Sequence, residues 1–121
     1  MNNDRKYDIE ERLIDFTCLV FKLIETMRNT KAGNHISGQL VRSGSSPALN
    51  YGEAQSSESK NDFIHKFKVI LKELRETIIS LKIVRKSALC KNEELLHAAI
   101  AECNELISIF VKSIDTANKR R

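Results

Sequence analysis

With 121 residues, 41% of them apolar and 30% charged, the chain has the size of one domain and the material for a buried core, which argues against a disordered chain. One Pro and four Gly leave too little punctuation for a many-stranded β-fold. A net charge of +4 permits attraction to nucleic acid or to acidic partners without requiring it.

The first periodic segment, about 7–30, carries Ile9, Leu13, Phe16, Val20, Leu23 or Ile24, and Met27 at steps of three and four, which is one helical stripe. Leu19 and Phe21 widen the stripe and suggest a second buried face, with self-association as one explanation. Asp8, Glu10 and Glu11 suit the positive end of the helix dipole. Gly33 is expected to close the segment in a left-handed conformation.

The second segment, about 34–55, is expected to start at an Asn34 cap. Ile36, Leu40, Pro47 and Tyr51 mark one side. Gly38, Ser43, Gly44, Ser45, Ser46, Pro47 and Gly52 make this the stretch least suited to helix. A Pro inside a helix removes one backbone hydrogen bond and crowds the turn before it. Local chemistry therefore slightly favours a break near Ser45 over a kinked continuation.

The third segment, about 60–86, is the clearest helix. Ser59 and Asp62 form a short capping box, and Phe63, Phe67, Ile70, Leu74, Ile78 (or Thr77), Leu81 and Val84 form its stripe. The fourth, about 93–117, follows an Asn92 cap and carries Leu96, Ala99 or Ile100, Cys103, Leu106 or Ile107, Phe110 and Ile114. The basic tail from Asn118 to Arg121 is expected to fray. Four long amphipathic segments joined by short links predict one all-α domain over the whole chain, an antiparallel up-and-down four-helix bundle.

Arg42, Ser46, Asn50 and Glu53, spaced by four, four and three, share a face if the second helix is continuous. Glu73 and Glu76 flank the third stripe. The expected structural polar network joins Arg42 to Glu76 or Glu73, and Glu53 to Lys66 or Lys68, and sets helix register. The other weighed reading is a small enzyme using Glu53, Glu76 and Arg42 in a polar pocket.

The stretch 39–84 carries Arg42, then Ser45-Ser46-Pro47-Ala48-Leu49-Asn50-Tyr51-Gly52-Glu53-Ala54, Asp62-Phe63, and Lys72-Glu73-Leu74-Arg75-Glu76-Thr77. It resembles the four helix bundle protein family, whose founding members are encoded by intervening sequences inside bacterial 23S rRNA genes. A relative is the accessory variability protein of diversity-generating retroelements. The sequence departs from the family pattern at Tyr51, where a small apolar residue is common, and at Ile78, Ile79 and Ser80, where aromatics are common. The resemblance implies a second helix that continues through Pro47, which we follow. It also implies a cyclic homo-oligomer, pentameric in form, and association with nucleic acid.

Cys18, Cys90 and Cys103 are odd in number and widely spaced, and are read as reduced thiols. His35, His65 and His97 lack the spacing of a helical metal site, so no metal and no cofactor is expected. No apolar run approaches the roughly 20 residues of a membrane span. The opening Met1-Asn2-Asn3-Asp4-Arg5-Lys6 is charged rather than signal-like, so the expectation is a cytoplasmic protein with no membrane partner. The third helix is the most basic: Lys66, Lys68, Lys72, Arg75, Lys82, Arg85 and Lys86 are the candidate nucleic-acid contacts, diluted by Glu58, Asp62, Glu73 and Glu76. The leading reading is a non-enzymatic homo-oligomeric interaction module that associates non-specifically with RNA or DNA. The alternatives are the Glu/Arg enzyme and a purely structural protein.

Overall fold

A computed structural model describes residues 8–120. The expected helix start at Tyr7, the segment 1–6 and Arg121 lie outside the described residues. Four helices follow one another: α1 (Ile9–Ile24), α2 (Lys31–Ala54), α3 (Lys60–Ser87) and α4 (Glu93–Lys119). Short connections force consecutive helices to run antiparallel. Each helix packs on its neighbours in the order α1–α2–α3–α4, and α4 closes on α1.

The predicted stripes form the core. Leu13, Phe16, Val20 and Leu23 of α1 meet Leu40 of α2, Ile70, Leu74, Leu81 and Val84 of α3, and Leu96, Cys103, Leu106 and Phe110 of α4, all buried. Burying each such side chain stabilises the fold by about 1.5–3 kcal/mol before entropy is counted. Near the start of α3 the core turns aromatic. Tyr51, Phe67 and Phe110 meet at ring separations of 5.0–6.3 Å, and Phe63 stacks 4.3 Å from Phe67.

Each helix begins on a side-chain cap. Asp8 accepts from the Glu11 N–H, Thr30 from Gly33, Ser59 from Asp62 and Asn92 from Leu95, at 3.0–3.3 Å. Two expected boundaries are corrected here. The α1 helix stops at Ile24 rather than near Thr30, because residues 26–28 spend their backbone groups on the α3–α4 connection. Arg28 N donates to Leu89 O at 2.7 Å and Lys91 N to Thr26 O at 2.9 Å, around an antiparallel bridge between Met27 and Cys90. The second helix then begins at Lys31 with Thr30, not Asn34, as its cap. Gly33 is not left-handed; it lies in the first turn of α2, where a Cβ would sit 2.1 Å from the Arg28 carbonyl oxygen. The left-handed terminator is Ala88, at φ 52°, after α3. The tail is helical to Lys119 rather than frayed from Asn118.

The α2 helix runs unbroken through Pro47, against the local preference for a break. Its poor helix formers occupy tight places. Pro47 and Ser43 are buried, and Gly44 lets α1 approach so closely that an added Cβ would lie 3.0 Å from Val20 Cγ1. Thr17 Oγ1 reaches the Gly44 carbonyl at 3.0 Å across the same contact. Tertiary packing overrides propensity.

Candidate functional site

The α2–α3 seam holds the predicted polar network. Arg42 donates through Nη1 to Glu73 Oε1 at 2.9 Å and through Nη2 to Glu76, so both candidate partners are used. Lys66 Nζ donates to Glu53, the first of the two candidate bases for that carboxylate. As the chain advances along α2 from Arg42 to Glu53, its partners step back along α3 from Glu76 to Lys66, which is antiparallel register. The Glu73 side chain is 10% exposed and Arg42 51%, so the fork reaches from solvent to a nearly buried carboxylate. The hydrogen bond from Arg42 holds the Glu76 carboxyl below its ordinary value, and Glu76, then Glu73, raise the Arg42 guanidinium.

Ser46 and Asn50 do not cross the seam. Asn50 Nδ2 donates to Ser46 O and Oγ at 3.0 and 2.9 Å, both within α2. The buried crossing is made instead by Ser43 and Thr77, 2.9 Å apart. Ser43 was legible: with Leu40 and Pro47 it completes a three-and-four spacing. A second seam, α1 to α4, is tied by Arg12, whose Nε and Nη2 reach Glu102 at 2.6 and 3.0 Å and whose Nη2 reaches Glu105 at 2.7 Å. The only hint of it in the sequence is that these residues border the apolar stripes.

The seam also sorts the basic residues of α3. At 100° per residue, Lys68, Lys72, Arg75, Lys82 and Lys86 fall within a sector of roughly 80°. All five are exposed, together with Ile79. No carboxylate of α3 falls within that sector; Glu73 and Glu76, which pair with Arg42, lie beyond its Lys72 edge. The dilution expected from the sequence is confined to the edge of this face, where half-exposed Glu76 lies beside Lys72. Two candidates leave it: Lys66 is held by Glu53, and Arg85 points toward α4, where it shares a small groove with Arg28, Glu93 and His97.

The exposed apolar residues predicted on α1 gain company from α2. Ile14, Phe21, Val41 and Leu49 are 40–67% exposed. The Thr17–Gly44 contact sets the register, which brings Phe21 to about the level of Val41, and Ile14 about half a turn from Leu49. Leu19 instead packs against the core. Cys90 and Cys103 are buried and Cys18 is exposed, all as free thiols. Burial pushes the Cys103 thiol up to about 12. Among the described residues no three of His, Cys, Asp or Glu gather where a metal could be held, and no helix is long and apolar enough to cross a membrane.

The family model described as 23S rRNA-intervening sequence protein matches residues 5–112. The chain belongs to that family. The match spans both seams and the whole basic face. A solved structure from Bacteroides thetaiotaomicron, described as a protein of unknown function from the S23 ribosomal protein family, is similar to this chain at a TM-score of 0.80 and 24% identity. The alignment covers 88% of this chain and 98% of that one, so the likeness is of the complete four-helix fold. A comparison with curated proteins returns no match. Tyr51, where the chain departs from the pattern it resembles, fills the aromatic end of this family member's core, and burial raises its phenol.

Proposed function

We propose that this 23S rRNA-intervening sequence family member is a non-enzymatic cytoplasmic interaction module that assembles with copies of itself and contacts RNA or DNA through the outer face of α3. One observation carries the reading: five exposed cations share a face of α3, and the two carboxylates that border it, Glu73 and Glu76, are paired with Arg42. Phosphates are the complementary ligand for such a strip, about 27 Å long from Lys68 to Lys86. The face lacks aromatic rings, so binding is by backbone charge and not by base identity. The pairing of Glu53, Glu73 and Glu76 with basic partners supports a register role over acid–base chemistry.

Self-assembly is supported by Ile14, Phe21, Val41 and Leu49, whose exposure on adjoining helices is the kind of patch a second copy covers. The ring implied by the family resemblance, fivefold and cyclic, is the form proposed.

The test is fluorescence anisotropy of a structured RNA at about 50 and about 200 mM salt. The expected slope of log affinity against log salt is about −4 to −5 for five phosphates. Reversing Lys72, Arg75 and Lys82 to Glu should abolish binding without lowering the thermal midpoint. Absence of binding at low salt rejects nucleic acid as the partner. Light scattering that shows a strict monomer rejects assembly.

A further inference from the structure

We infer that the trough between the start of α3 and the end of α4 binds a small amphipathic anion, an acyl chain ending in a carboxylate. The trough is an open groove of about 750 Å³, within the range of small-ligand sites. Its floor is apolar: Phe63, Phe67 and Ile109. Phe63 rests on the buried Phe67 ring at 4.3 Å, which fixes the floor. The rim carries Lys60, Lys112 and Arg120, and among the described residues no Asp or Glu lines it. An apolar floor under a rim whose charged residues are all cations, with the Ser113 and Thr116 hydroxyls between them, selects a ligand that is apolar along its body and negative at one end.

The cations differ in availability. Lys60 Nζ already donates to the Arg120 carbonyl oxygen, and the nearby Asp115 is held by Lys119 at 3.1 Å. Lys112 and the Arg120 guanidinium form no ion pair among the described residues. They are the headgroup contacts. The α4 side of the trough extends from Ile109 to Arg120, about 16 Å of helix, which suits a linear chain better than a compact ring. The competing account is that the basic residues only complement the dipole at the end of α4.

Calorimetry with sodium dodecanoate below its micelle concentration, followed by amide chemical shifts, separates the two. Saturable one-to-one binding is expected, with shifts centred on Lys60, Ser113 and Thr116. Lys112→Glu and Arg120→Glu should each weaken it about tenfold, and Thr116→Trp should block it, with thermal midpoints unchanged. The inference is overturned by absence of saturable binding, by equal binding of dodecyltrimethylammonium, or by unchanged affinity in both reversal variants. Capture by phosphatidylglycerol vesicles without binding of monomeric dodecanoate also overturns it.

Discussion

Ser43 of α2 and Thr77 of α3 meet hydroxyl to hydroxyl, 2.9 Å apart, at 1% and 0% exposure. The Thr77 hydroxyl also lies 2.8 Å from the Glu73 carbonyl oxygen, which can only accept. Thr77 therefore gives its single proton to Glu73 O, and Ser43 donates to Thr77. The order of donors places a directional, buried polar link in the α2–α3 seam, next in sequence to Arg42 and Glu76 of the fork.

Thr77→Val keeps the shape and removes the acceptor, which strands the Ser43 hydroxyl. We expect a loss of about 1–3 kcal/mol in urea unfolding. The double variant Ser43→Ala with Thr77→Val should lose less than the two single losses added together, because no group is then left unsatisfied. Strict additivity would show that the two hydroxyls are not coupled.

The Arg42–Glu76 pair makes stability depend on acid. The folded Glu76 carboxyl lies below its ordinary 4.5, so the contribution is complete above that value and is lost as pH falls through the lower folded value. Arg42 stays protonated throughout this range. Arg42→Ala should lower the unfolding midpoint at neutral pH and flatten the acid limb of stability against pH. Arg42→Lys should restore only part of both, since an ammonium cannot fork between two carboxylates. An Arg42→Ala midpoint that tracks the parent at every pH would show that the fork contributes nothing.

The glycines of α2 should respond in opposite directions. Nothing lies within 4 Å of a Cβ added at Gly38 or Gly52, so Ala at either should stabilise by about 0.5–1 kcal/mol. Gly44→Val should cost about 1–3 kcal/mol by forcing α1 away at Val20. Thermal melts of the three variants, at one protein concentration, check the contrast.

Thiol reactivity should divide the cysteines. Burial favours the neutral form of Cys103, whose value is raised from 9.0 to about 12. Its contribution to stability is therefore complete below about pH 9 and is lost as pH rises toward 12. With an aromatic disulfide reagent at neutral pH, exposed Cys18 should react first, and Cys90 and Cys103 only after unfolding. Rapid native-state reaction of Cys103 would contradict the packing described.

The helical stripes were legible because their apolar spacing reports directly which side faces the core. The α2–α3 fork was legible too, since Arg42, Glu73 and Glu76 border those stripes. What stayed hidden depends on how neighbouring helices are rotated and aligned. The Ser43–Thr77 link needs the register of α2 on α3. The sorting of α3 into a paired edge and a free cationic face needs to know which way Glu73 and Glu76 turn. The end of α1 was misplaced because its backbone partners, Leu89 and Lys91, lie some sixty residues away in sequence, beyond the reach of any local pattern.

The bridge between Met27 and Cys90 closes one pole of the bundle by joining the α1–α2 and α3–α4 connections. Asp8 and Arg120, the first and last described residues, both lie at the other pole, beside the α2–α3 turn and the aromatic layer. The chain therefore enters α1 and leaves α4 at one pole. Paired reporters attached at Asp8 and Arg120 would therefore sense opening of the unstitched pole and be blind to the other.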